Sequence, residues 1–101
     1  MRRLLLTAFT LLILHQSSMA QLGIGTNGPD SSAMLDVFSN EKGFLPPRIA
    51  LTATNQPGPV AKPAVGLLVY NTATSGNDSF KVLPGYYYWD GTKWVCNLEK
   101  R

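Results

Sequence analysis

Asp90-Gly91 stands between two aromatic-rich runs, Gly85–Trp89 and Thr92–Leu98, and limits the fold of this chain more than any other feature. Two residues of this type between strand-forming runs are the strongest short-range signal for a β-hairpin. Glycine takes the positive φ that a type I′ turn demands, and aspartate tolerates it. A two-residue turn would set the register. Trp89 would face Thr92, Tyr88 would face Lys93, Tyr87 would face Trp94, and Tyr86 would face Val95. One face would then carry Tyr87, Trp89, Thr92, Trp94 and Cys96. The other would carry Tyr86, Tyr88, Lys93 and Val95. The first is the more apolar and is expected to be buried.

An isolated hairpin is marginal in water. A third run, Gly66–Thr72 (GLLVYNT), is short, apolar and rich in strand formers, and would lie beside it. Residues 66–101 therefore read as a small antiparallel meander with strands at 66–72, 84–90 and 92–98. Ala73–Ser79 is a polar loop.

Residues 21–65 read differently. Gln21–Asp30 is Gly- and turn-rich. Ser31–Phe38 alternates as a strand does, although Asp30, Ser31 or Ser32 could cap a short helical turn; the strand is favoured. Ser39–Gly43 is a turn. Pro46-Pro47 removes two donors and excludes a central strand. Pro57, Pro59 and Pro63 make 52–65 a loop or linker. The fold class is thus mainly β, with an extended, loop-rich N-terminal half.

Residues 1–20 have the layout of a secretory signal. Arg2-Arg3 is the positive start, Leu4–Leu14 the apolar run, and His15–Ala20 a polar stretch ending in small residues. The apolar run is shorter than the roughly 20 residues a membrane-spanning helix needs. Cleavage is expected after Ala20, leaving Gln21 first and the product secreted or on the cell surface, with no stable membrane span.

The remainder is small for an autonomous domain, which buries only about 60% of its unfolded surface. Cys96 is the only cysteine, so no internal disulfide can help. Three outcomes stay open: the aromatic core suffices, the chain oligomerises, or part of it stays disordered. Cys96 itself is either a small buried hydrophobe or an unpaired thiol open to intermolecular bonding. Its place on the apolar face favours the first.

Charge and residue types exclude several functions. The net charge is +3, but Arg2 and Arg3 belong to the signal segment, and the rest is nearly neutral. No basic field points to nucleic acid, and stacking on single strands needs a charged groove. The one histidine, His15, also lies in the signal segment. Ser-His and Cys-His nucleophile pairs are therefore absent from residue 21 onward. Ser39-x-x-Lys42 matches a penicillin-recognising string without its companion motifs. Gly23, Gly25 and Gly28 spell G-x-G-x-x-G but lack the required strand before and helix after. No zinc or EF-hand set is present, and Asn77-Asp78 is at most a weak calcium contact. No enzyme and no cofactor is implied.

Tyr87, Trp89 and Trp94 are the candidate functional residues. Rings with polar tips suit a core, a subunit interface or a sugar-stacking platform. The core or interface reading is favoured, and a carbohydrate-binding module is the alternative.

GIGTNGPD, SAMLDV, KGFLPPRIALT, PAVGLLVYNTAT and PGYYYWDGTKWV follow one another across residues 21–96. This order resembles the N-terminal region of secreted Bacteroidetes proteins. Similar segments occur in fibre-like and phage tail-fibre-like proteins, which are elongated and often trimeric. The resemblance implies an exported, surface-associated, β-rich module, read here as non-catalytic and structural or adhesive, for which a homo-oligomer such as a trimer is one possible assembly. Members usually continue beyond the region matching Trp94, so a stand-alone module, a truncated gene and a fragment are all open. Members also often carry a basic or polar residue where Cys96 stands.

Overall fold

In the computed structural model, residues 21–96 are described, together with Arg2, Arg3, Leu6 and Thr7. The export-signal reading rests mostly on residues outside this set. So does the end of the expected last strand, at Asn97 and Leu98. Among the described residues, no helix is long and apolar enough to cross a membrane. The chain divides into two units, Met1–Gly43 and Phe44–Arg101. Both are built mainly of β-structure.

The first unit holds strands β1 (Leu22–Ile24) and β2 (Leu35–Val37). The alternation in residues 31–38 does produce a strand at Leu35–Val37, and Asp30 caps a single turn just before it, accepting from Ser32 at its carboxylate and from the Ala33 N–H at its carbonyl (3.0 Å). The strand's partner was not legible. β1 runs parallel to β2, pairing Leu22 with Leu35, Gly23 with Asp36 and Ile24 with Val37. The crossover between them is irregular and is held by side chains of its own. Asp36 Oδ2 accepts from the Asp30 N–H (2.9 Å), and Gln21 Nε2 donates to the carbonyls of Asp30 and Ala33 (2.8 Å each). Gly25 leaves β1 at φ +78°, and any side chain there would collide with the Phe38 carbonyl oxygen. None of residues 21–43 is buried.

The second unit is a four-stranded sheet in the order β3-β4-β5-β6. Its strands are β3 (Arg48–Ile49), β4 (Leu68–Asn71), β5 (Gly85–Trp89) and β6 (Trp94–Cys96). The last three form the expected antiparallel meander. β3, unforeseen, adds to it in parallel, pairing Arg48 with Tyr70 and Ile49 with Asn71. It is an edge strand directly after Pro46-Pro47, which is where missing donors are tolerated.

The hairpin register differs from expectation. Trp89 pairs with Trp94, Tyr88 with Val95 and Tyr87 with Cys96. The connection is therefore Asp90–Lys93 rather than Asp90-Gly91 alone. The cause is the Asp90 carboxylate. Its Oδ1 accepts from the backbone N–H groups of Thr92 and Lys93 (2.8 Å each), and the Asp90 N–H donates to the Lys93 carbonyl (3.0 Å). These side-chain bonds satisfy loop donors that a two-residue turn would have handed to the ladder. The slip is two residues, an even number, so every side chain keeps its face. Thr92, moved into the loop, is exposed instead of buried. Cys96 is also exposed, against the favoured reading, because it closes an edge strand beyond the Trp94 ring.

The core gathers Leu51, Val69, Val82, Tyr87, Trp89 and Trp94, with Ile49 and Val60 packed against it. Three of these, Ile49, Leu51 and Val60, come from the stretch 46–60, which carries Pro46, Pro47, Pro57 and Pro59. That segment is tied down over long sequence distances. The Trp94 indole N–H donates to the Gln56 carbonyl (2.9 Å), and the Trp94 backbone N–H donates to the Thr54 carbonyl (2.8 Å). Trp89 and Trp94 meet edge to face at 5.1 Å, an arrangement worth about 0.5–1.5 kcal/mol beyond burial.

One polar side chain sits wholly inside. Asn71 is 0% exposed. Its Oδ1 accepts from the N–H groups of Leu51 (2.9 Å) and Ala73 (3.0 Å). Its Nδ2 donates to the carbonyls of Ala73 and Leu83 (2.8 Å each). All its hydrogen-bonding capacity is used, which is what makes a buried amide tolerable. Asn71→Ala should cost about 2–5 kcal/mol, since each buried group left without its partner costs about 1–3 kcal/mol. Asn71→Asp should cost more, because an oxygen would then face two carbonyl oxygens. Urea denaturation followed by tryptophan emission measures both, and an aspartate variant as stable as wild type would refute this role. Tyr87→Phe removes the hydroxyl that accepts from the Leu83 N–H (3.1 Å) and should cost about 1 kcal/mol.

Candidate functional site

Tyr87, Trp89 and Trp94 come together on one face of the second unit's sheet, as their spacing suggested. They are 5%, 8% and 1% exposed within the single chain. Their rings therefore fill the core of their own unit, and the surfaces left open lie elsewhere.

The first open surface is the opposite face of the same sheet. Leu68, Tyr70, Tyr86, Tyr88 and Val95 alternate with the buried residues and are half-buried or exposed. Tyr70 and Tyr86 pair across β4 and β5, edge to face at 5.1 Å. These rings shield each other, and each brings a phenol hydroxyl. Arg48 adds a charge at the edge of that face through its pairing with Tyr70.

The second lies on the first unit. The β1–β2 register puts Leu22, Ile24, Leu35 and Val37 on one face. All four are aliphatic, and they are 58%, 52%, 49% and 43% exposed. The alternate positions, Gly23 and Asp36, point the other way and meet the chain's own crossover. A Cβ on Gly23 would stand 2.9 Å from the Thr26 carbonyl oxygen and 3.1 Å from the Pro29 ring. Asp36 holds the Asp30 N–H. So one side of the ribbon is covered from within, and the other is aliphatic and open. No spacing rule singled out these four residues. The signal was the alternation in LGI and LDV, too short to read without knowing that the two segments pair.

The remaining sequence candidates have structural roles. Ser39 Oγ accepts from the N–H groups of Glu41 (3.1 Å) and Lys42 (2.9 Å), which makes Ser39-x-x-Lys42 a capped turn. Gly23 and Gly25 belong to β1 and its exit, and a crossover follows instead of a helix. Asp78 opens a single 3-10 turn, Asp78–Phe80. Among the described residues, no group of three or more His, Cys, Asp or Glu could hold a metal ion.

Two carboxyls are held below the usual range. The N–H groups of Thr92 and Lys93 lower Asp90 strongly, with the Lys93 ammonium (3.1 Å) adding to them. The Ser32 hydroxyl and then its backbone N–H lower Asp30. Both groups cap loops through bonds to neighbouring N–H and hydroxyl groups, which is a structural use of a carboxylate.

A family model described as a phage tail-like trimerisation region matches residues 23–100. The chain belongs to that family. The match runs through both units, from within β1 to beyond β6. No curated protein and no solved structure gives a significant match. Membership in a trimerisation region supports a structural, fibre-like module.

The Asp90 cap predicts a pH response. Its folded pKa lies below the unfolded value of about 3.9, so its contribution is complete above about pH 4 and is lost as pH falls through the folded value. Asp90→Asn keeps an oxygen for the Thr92 and Lys93 N–H groups but does not titrate there. Urea midpoints should therefore fall more steeply for wild type than for Asp90→Asn below pH 4. Parallel curves would remove Asp90 from the acid response.

Proposed function

We propose that this chain is an exported, non-catalytic structural module that trimerises to build part of a fibre-like surface or adhesive protein. The match of residues 23–100 to a trimerisation region carries this reading. The first unit supports it physically. A two-stranded ribbon with no buried residue does not hold a fold alone, and oligomerisation is the usual remedy for a chain this small without disulfides. The order of charge, apolar run and small residues in 1–20 supports export.

The alternative, a carbohydrate platform on Tyr87, Trp89 and Trp94, would need ring faces open to a sugar. Those rings are packed inside their unit, so the structural reading is the better supported.

Light scattering coupled to gel filtration should give three times the chain mass, with and without reductant. Survival in reductant separates a packed trimer from species joined through the exposed Cys96. A monomer at micromolar concentration would sink the trimeric reading. N-terminal sequencing of protein released by the expressing cells should begin at Gln21, and an intact Met1 on that protein would refute cleavage after Ala20.

A further inference from the structure

We infer that the aliphatic face of the β1–β2 ribbon, formed by Leu22, Ile24, Leu35 and Val37, is the subunit interface, and that the same face of two further copies covers it. The inference rests on the trimeric reading above and names the surface that would do the work.

Three observations converge on this face. The first is one-sided cover. Parallel strands are ordinarily buried on both faces, because the crossover connections that join them lie across the sheet and cover it. Here Thr26 and Pro29 approach the Gly23 side, and the loop donor at Asp30 occupies Asp36. On the other side the four side chains stay 43–58% exposed.

The second is chemistry. The face carries no charge, no hydroxyl and no amide. It offers nothing to orient a sugar, a phosphate or a charged peptide, and it fits only another apolar surface. The tyrosine face of the second unit is less suited, since its rings are already half-buried against each other and carry hydroxyls.

The third is symmetry. Pairwise contacts in a three-fold ring are heterologous, but side chains placed at the axis meet their own copies, so a patch there must tolerate itself. A short, uncharged aliphatic patch needs no directional partner and meets its own copies without an unpaired polar group. The family match begins at residue 23, inside β1, so Ile24, Leu35 and Val37 fall within the trimerisation region and Leu22 stands one residue before it.

Full-length chain carrying Ile24→Asp or Val37→Asp tests this. Each places a carboxylate on the face. The mass should fall from trimer to monomer at a concentration where wild type is fully trimeric, with association weakened at least tenfold. Near-ultraviolet circular dichroism of Trp89 and Trp94 should be unchanged, because both rings lie in the core of the other unit. Ile24→Val should remain trimeric. Val37→Thr, close in shape and uncharged, should weaken the trimer without a buried charge. Leu68→Glu, on the tyrosine face, should leave it intact. Aspartate variants that stay trimeric, or a trimer lost in Leu68→Glu instead, would overturn the interface. A monomeric wild type would overturn the trimeric reading itself, before any variant is made.

Discussion

The second unit depends on one buried amide. Asn71 ties Leu51, Ala73 and Leu83 to β4 through bonds that use both its oxygen and its nitrogen. The apolar core around it is small, and a small core tolerates few errors of alignment. A fully satisfied polar group in its midst admits only one arrangement of these three segments. Trp94 does the same from β6, on the same face of the sheet. Its ring fills the core while its two N–H groups hold Gln56 and Thr54. Between them, the proline-rich stretch becomes the cover of a sheet instead of a linker.

The first unit is ordered by other means. Its backbone is shaped by Gly25, by the Asp30 and Asp36 carboxylates and by Gln21, all of which act through hydrogen bonds at the surface. Such bonds specify geometry but add little net stability in water. In the interface proposed above, burial would come from further copies of the chain, in keeping with the trimerisation family.

Much of the fold was legible in particular residues. The alternation in GYYYW and WVC assigned faces correctly, and the meander followed from GLLVYNT beside them. The register did not, because the Asp90 side chain captures two loop donors, and no dipeptide rule includes that competition. β1 and β3 escaped notice because strands of two or three residues carry too little pattern, and each is defined by a parallel partner distant in sequence. Asn71 was hidden inside a strand motif, where asparagine ordinarily signals the coming turn. The three candidate rings were recognised as a cluster, yet their depth and the openness of Leu22, Ile24, Leu35 and Val37 could not be read locally.

By itself, then, the sequence determined a mainly β chain, the sidedness of its C-terminal strands and the lack of the histidine- and cysteine-based pairs from residue 21 onward. Those properties follow from backbone periodicity and residue chemistry, which act between near neighbours. Only the tertiary structure decided which ring faces which, what Asn71 holds, and which apolar surface is left uncovered. Burial is a property of the segments that arrive from elsewhere in the chain, as Gln56 arrives at Trp94 across 38 positions.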